Sequence, residues 1–140
     1  MLERRTAPLP AGRAAVHHLQ RLSFKLNPQK MEAATPPANV YEGNGQLSVA
    51  APIPGAHPDH VEVIVTPSRV RVAASCKYSQ ENQHYHLHEW LVGGWQLNVD
   101  LPKPVDPSAA RATLNLGVLV VTAPISADGS GESRPSIRDT

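Results

Sequence analysis

The fold is decided by the stretch RATLNLGVLVVT, residues 111–122, which predicts two strands joined by a tight turn. Side chains alternate along a strand, so Ala112 and Leu114 share one face. The predicted turn is Asn115-Leu116-Gly117, because glycine readily adopts the positive φ that a short hairpin requires. The apolar run at residues 118–121 is typical of a strand covered on both faces. This segment therefore predicts a β-hairpin in a β-rich domain.

The chain before this hairpin shows the alternation of side chains that is typical of strands. In four further segments the alternation of a strand places apolar side chains on one face, at Leu47, Val49 and Ala51, at Val61, Val63 and Val65, at Val70 and Val72, and at Trp95, Leu97, Val99 and Leu101. Turn residues separate these segments, as in Gly43-Asn44-Gly45 and Ile53-Pro54-Gly55. Strands every 8 to 12 residues or so, with no strong helix between them, indicate an all-β antiparallel sandwich.

Composition limits the class of protein. A chain of 140 residues with 14 prolines and 9 glycines suits one domain with appendages. No apolar run approaches the roughly 18 residues of a transmembrane helix, so stable membrane insertion is not expected. We also expect no signal peptide, since no apolar stretch follows the first charges. The single cysteine, Cys76, excludes an intrachain disulfide and is compatible with the cytoplasm, which we take as the predicted location.

Charge is distributed unevenly along the chain. Residues 1–36 carry six basic and two acidic side chains, whereas residues 37–124 carry five basic and seven acidic ones. The predicted domain therefore lacks the basic face that nucleic-acid binding requires. We predict no nucleic-acid partner.

The chain divides into an N-terminal arm, residues 1–36, a domain, residues 37–124, and a C-terminal tail, residues 125–140. In the arm, an apolar stripe with helical spacing predicts a helix from about Ala14 to Leu26; its members are Val16, Leu19, Leu22 and Leu26. A helix this short is marginal alone, so a disordered arm with incidental leucines remains an alternative. A membrane-surface helix has too small an apolar face. The tail is rich in serine, glycine and charge and is predicted to be disordered alone.

A family resemblance runs through the predicted domain. Its elements are Tyr41-Glu42, residues 47–51, Ile53-Pro54-Gly55, residues 59–65, Leu101-Pro102, and Ala112 followed by Gly117-Val118-Leu119. Their order and spacing resemble the α-crystallin domain of small heat-shock proteins of the bacterial and plant type. The resemblance implies an immunoglobulin-like sandwich with flexible ends. It also implies an ATP-independent chaperone that binds non-native proteins, with no cofactor.

The resemblance further implies a dimer of exchanged strands. Residues 84–89 look like the extra strand that, in bacterial and plant members, crosses to the partner subunit and pairs beside its first strand. The implied interface residues are Val40, Tyr41, Tyr85, His86, Leu87 and Trp90. Trp90 and Leu97 stand where the family usually has arginine. Because packed apolar groups can replace a buried ion pair, we expect a more hydrophobic contact centred on Trp90 and Trp95, although Trp95 is better explained as core.

The tail carries a reduced form of the family's docking motif. Members of the family end in Ile-any-Ile, which docks on a neighbouring dimer, and here Pro135-Ser136-Ile137 is the nearest match. An extended segment anchored by Pro135 and Ile137 could lie in a groove between two strands; the groove residues are Val63, Val65, Ala112 and Leu114. A single strong anchor predicts weak docking and small or polydisperse oligomers. The predicted client contacts are Leu19, Leu22, Phe24 and Leu26, together with this groove when the tail leaves it.

Few residues suggest catalysis or metal binding. His84, His86 and His88 alternate and would share one face of a strand, which is a candidate zinc or copper site. A flat strand spaces them about 6 to 7 Å apart, however, so a solvent-facing row is the favoured interpretation and a metal is not predicted. A response of the crowded imidazoles to pH is a third interpretation. No nucleophile elbow, zinc-protease pair or phosphate loop is present, so an enzyme is not expected.

Two other functions remain open at this stage. The same sandwich serves CS-domain co-chaperone adaptors of the ninety-kilodalton heat-shock protein, which lack the exchanged strand and would be monomeric. A metal-binding protein based on the three alternating histidines is the second alternative. The mass of the particle in solution and a zinc titration would distinguish them.

Overall fold

The computed structural model describes residues 33–76, 83–89 and 93–139 and confirms the all-β sandwich. Its strands are β1 (Ala33–Ala34), β2 (Asn39–Gly43), β3 (Gln46–Pro52), β4 (Ala56–Val65), β5 (Arg69–Cys76), β6 (Gly94–Asp100), β7 (Arg111–Asn115), β8 (Val118–Pro124) and β9 (Ile137–Asp139). A 3-10 turn, Pro107–Ala109, precedes β7 and is capped by Asp106, whose carboxylate accepts from the Ser108 N–H. Within these ranges no helix has the length and apolar character needed to cross a membrane.

The strands form two sheets. One has the order β1-β6-β5-β4, and the other has the order β2-β3-β8-β7-β9. The pairs β1–β6 and β7–β9 are parallel, and all other neighbouring strands of the described chain are antiparallel. The outer strands of the five-stranded sheet are therefore β2 on one side and β9 on the other.

The core lies between the sheets and follows from the alternation in the sequence. In β3 the side chains of Leu47, Val49 and Ala51 are buried while the residues between them are half-buried. The same alternation places Val63, Val65, Val70, Val72, Leu97, Ala112, Leu114, Leu119 and Val121 in the same cluster. Two sheets that pack face to face enclose a layer about 10 Å thick, which these medium-sized side chains fill. Ile53 and Val105, both fully buried, close the layer.

Strand β8 differs from the prediction of a strand covered on both faces. Leu119 and Val121 are buried, but Val118 is exposed and Val120 is only half-buried. A sandwich of two sheets covers only the inner face of each sheet, so the outer face of β8 meets solvent in the single chain. The uninterrupted apolar run at residues 118–121 does not show which of its side chains face the core and which face solvent.

Two hairpins have two-residue turns in which both residues have positive φ. Asn44 and Gly45 have φ values of 54° and 74°, and Leu116 and Gly117 have values of 53° and 82°. This is the type I′ geometry, whose twist matches that of the flanking strands. The second turn is one residue shorter than predicted, because Asn115 pairs with Val118 and belongs to β7.

Both predicted domain boundaries fall inside the folded structure. Strand β1 lies within the predicted N-terminal arm, residues 1–36, and pairs with β6. The tail, predicted to be disordered alone, packs on the sandwich from Ile125, whose N–H donates to the Gly45 carbonyl over 2.8 Å, to β9. The backbone of β7 would otherwise present an unpaired edge, and the tail satisfies it. The predicted helix from Ala14 to Leu26 lies outside the described residues.

Candidate functional site

The predicted docking groove lies where the two sheets open toward each other, between β4 and β7. Its four residues, Val63, Val65, Ala112 and Leu114, are all buried and belong to the core cluster. Alternation along each strand turns these side chains inward, so the groove is a seam of the core between β4 and β7. A segment that covers this seam removes apolar surface from water, which stabilises its binding.

In the structure the tail of the same chain covers this seam. Ile137 pairs with Ala112, and Arg138 pairs with Thr113, in a parallel ladder along β7. The Ile137 side chain is half-buried and packs against the core, whereas Arg138 is exposed. The predicted contact with a neighbouring dimer is a different arrangement, because here the anchor residue lies on its own domain.

A second attachment, which the sequence did not reveal, holds the tail to β4. The N–H of Ser133 donates to the Val65 carbonyl, and the Val65 N–H donates to the Ser133 carbonyl, each over 2.9 Å. The Ser133 hydroxyl also donates to the Pro107 carbonyl over 2.6 Å. Pro135 is half-buried between these contacts and, lacking an N–H, leaves no donor unsatisfied there. The tail is therefore fastened to β4 by Ser133 and to β7 by Ile137.

Charged side chains line the outer side of this attachment. Arg134 Nη1 lies 3.4 Å from Glu62 Oε2, and Arg134 Nη2 lies 3.6 Å from Glu132 Oε2. All three side chains are more than half exposed, so each pair adds little to stability.

The predicted dimer edge is β2, and it is open in the single chain. All five of its residues are exposed, including Val40 at 39% and Tyr41 at 52%. It pairs with β3 on one side, and no strand of the described residues pairs with its other side. An edge of this kind offers unpaired backbone groups to another chain.

The segment predicted to be exchanged contains no strand in the single chain. Within residues 83–89, Leu87 is 74% exposed and His86 is exposed, while the Tyr85 ring is half-buried and stacks on His88 at 4.1 Å between centroids. The implied strand would pair with a partner subunit, and this pairing stays a prediction. Trp90 lies outside the described residues.

The three alternating histidines do not converge. The rings of His84 and His86 meet edge to face at 5.3 Å, while His88 faces Tyr85 instead. In the described part of the chain, no group of three or more histidine, cysteine or acidic side chains is arranged to hold a metal ion.

Trp95 is a half-buried member of the core margin and not an exposed contact. Its Nε1–H donates to the Pro54 carbonyl over 3.0 Å, and the Cys76 thiol lies 3.7 Å from the same oxygen. Trp95 thereby connects the beginning of β6 to the turn after β3.

Comparison with known proteins agrees with this architecture. The sequence pattern of the Hsp20/alpha crystallin family matches residues 39–137. Spore protein SP21 of Stigmatella aurantiaca is 30% identical over 100 residues, which cover 70% of this chain and 59% of that protein. The chain thus spans less than two thirds of the length of this relative.

Solved structures show the same fold at low sequence identity. The hspA structure from Xanthomonas axonopodis has a TM-score of 0.58 at 19% identity, covering 69% of this chain and 97% of that one. HSP18.5 of E. histolytica gives 0.56 at 16% identity, with 68% and 91% covered. A small heat-shock protein from Xylella fastidiosa gives 0.55 at 22% identity, with 69% and 90% covered. The chain is therefore a member of the Hsp20/alpha crystallin family, the small heat-shock proteins.

Proposed function

We propose that the protein is a cytoplasmic, ATP-independent chaperone that binds non-native proteins and suppresses their aggregation without a chemical step. Family membership implies a function of the chaperone type. The observation that carries the proposal is the apolar seam between β4 and β7, covered by a tail segment with few attachments. A covering strip of this kind can leave and return while the sandwich stays folded, because the side chains beneath it belong to a larger core.

Two surfaces would then receive client chains. The first is the seam itself, where an extended client segment can replace the tail by pairing with β7 and placing an apolar side chain where Ile137 lies. The second is the arm, whose predicted contacts are Leu19, Leu22, Phe24 and Leu26. Unfolding proteins expose apolar side chains, and both surfaces bind them by burying apolar area.

The proposed working unit is a dimer of exchanged strands. The open edge of β2 supports this proposal, as does the position of residues 83–89, which take no part in the sheets of their own chain. Pairing of this segment with β2 of the partner would cover Val40, Tyr41 and Leu87 together. Such pairing satisfies backbone groups that the single chain leaves to solvent.

Deletion of residues 1–26 tests the assignment of client binding to the arm. We expect the shortened protein to keep its unfolding midpoint and to lose suppression of the aggregation of a heat-denatured client, measured by light scattering without ATP. Serine at Leu19, Leu22, Phe24 and Leu26 in the full chain should have the same effect. As a matched control, alanine at Gln20, Ser23 and Asn27 should leave suppression intact. Full suppression by the shortened protein would contradict the proposed role of the arm.

A further inference from the structure

The turn between β7 and β8 contains an unusual residue for its conformation. Leu116 has a φ of 53° and is 96% exposed. Bulky side chains rarely adopt this left-handed conformation, and asparagine, aspartate or glycine usually occupy this turn position. The equivalent turn after β2 follows that preference, with Asn44 at a φ of 54°. At Leu116 the chain therefore keeps an apolar side chain in solvent where a polar one would be less strained.

Leu116 lies within a larger apolar surface at one end of the sandwich. Val118 pairs with Pro52, and both residues are exposed. Pro54 is also exposed and lies against the turn, where its Cα would be 3.6 Å from a Cβ placed on Gly117. We call the four residues Pro52, Pro54, Leu116 and Val118 the end patch. The Ile53 N–H fixes this arrangement by donating to the Gly117 carbonyl over 2.8 Å.

The N-terminal arm joins the sandwich at this same end. Strand β1 runs parallel to β6, with Ala33 beside Gly94 and Ala34 beside Trp95. Because β6 begins at Gly94, Ala33 lies at the end of this sheet. Trp95 donates to the Pro54 carbonyl over 3.0 Å, so the junction with the arm is one side chain away from the end patch.

We infer that the end patch binds the apolar stripe of the chain's own arm, formed by Val16, Leu19, Leu22 and Leu26. Residues 27–32 can span up to about 20 Å, which exceeds the spacing of about 10 Å between packed sheets. The stripe needs a cover, since a helix of this length is marginal alone in water. The inference deepens the proposed function, because the arm residues that contact clients would rest on the end patch when no client is present.

Hydrogen–deuterium exchange of the full chain, without any client, tests the inference. Leu116→Asn keeps the turn and removes the apolar contact, whereas Leu116→Met keeps both the apolar contact and the backbone strain. We expect exchange in residues 14–26 to become about tenfold faster in Leu116→Asn, the effect of losing one buried leucine contact. Leu116→Met should exchange like the wild type. Unchanged exchange of the arm in Leu116→Asn would overturn the inference.

Disulfide trapping identifies the occupant directly. In a Cys76→Ser background, the pair Leu22→Cys and Leu116→Cys should form an intrachain disulfide at high dilution. The pair Leu22→Cys and Lys103→Cys should not, because Lys103 lies at the opposite end of the sandwich, where it contacts Glu42 at 3.1 Å. Disulfide-linked dimers in place of the intrachain bond would overturn the inference and assign the patch to a second copy. Neither measurement depends on chaperone activity, so each can fail independently of the proposed function.

Discussion

The two sides of the five-stranded sheet differ in whether the chain's own tail covers them. At one edge, β7 is covered by β9, and backbone pairing and the Ile137 side chain close the seam. At the other edge, β2 has five exposed residues and no second neighbour among the described strands. An exposed sheet edge promotes association, so soluble proteins usually protect it. The difference indicates that the β7 edge is closed within the chain and the β2 edge is available to a second chain.

The largest expected effect concerns the open edge. Replacing residues 84–89 with a glycine-serine sequence of equal length should convert the proposed dimer into a monomer, since the segment proposed to pair with β2 of the partner is lost. Light scattering coupled to gel filtration measures the mass. The control replaces only His84 and His88 with serine, which keeps Tyr85, His86 and Leu87. A wild-type protein that is already monomeric would contradict the proposed dimer and favour the adaptor interpretation.

A smaller effect is expected at the β7 edge, which β9 covers, and it concerns the free energy of unfolding. Ile137→Ala removes half-buried apolar surface that packs against the core, so the free energy of unfolding should fall by about 1 to 2 kcal/mol in urea titrations at high dilution. Arg138→Ala, at the exposed position next to it, should change this free energy by less than about 0.5 kcal/mol. Equal values for the two variants would show that the tail does not cover its own seam in solution.

The smallest effect is expected at the charged margin of the tail. Arg134→Ala removes the pairs with Glu62 and Glu132, and both pairs are exposed. The free energy of unfolding should therefore fall by about 0.2 to 1 kcal/mol. This loss should become smaller in high salt, which screens exposed charges. Urea titrations at low and high ionic strength measure it. A loss that is independent of salt would assign Arg134 a packing role instead.

The sequence predicts a strand well where apolar residues occupy every second position and the structure buries those same positions. Residues 47–51 and 95–101 could be assigned because the sandwich turns one face of each strand inward. The type of the turn after β2 follows from Asn44 and Gly45 for a similar reason, since these residues prefer its geometry. The strand assignment and the turn type each depend on only a few neighbouring residues.

Other features depend on contacts between distant segments, and no local pattern reveals them. Ser133 lies in a polar tail without periodicity, yet it pairs with Val65 and Pro107. Strand β1 consists of two alanines, whose pairing is determined by the neighbouring edge of β6. The sequence predicts Leu116 in a turn, but its positive φ and its exposure follow only from the two-residue connection. The docking residues of the seam follow from a family resemblance, and their role in an assembly stays a prediction.

The intrachain position of β9 has a consequence for how the protein assembles. A tail joined to its own domain through residues 125–136 competes for the seam at an effective concentration on the order of millimolar, as for other short linkers. The tail of a neighbouring subunit must exceed that local concentration, or be held nearby by other contacts, to replace it. Dilute subunits would therefore be self-closed, and exchange of tails between subunits would begin only when association at the β2 edge has brought them together.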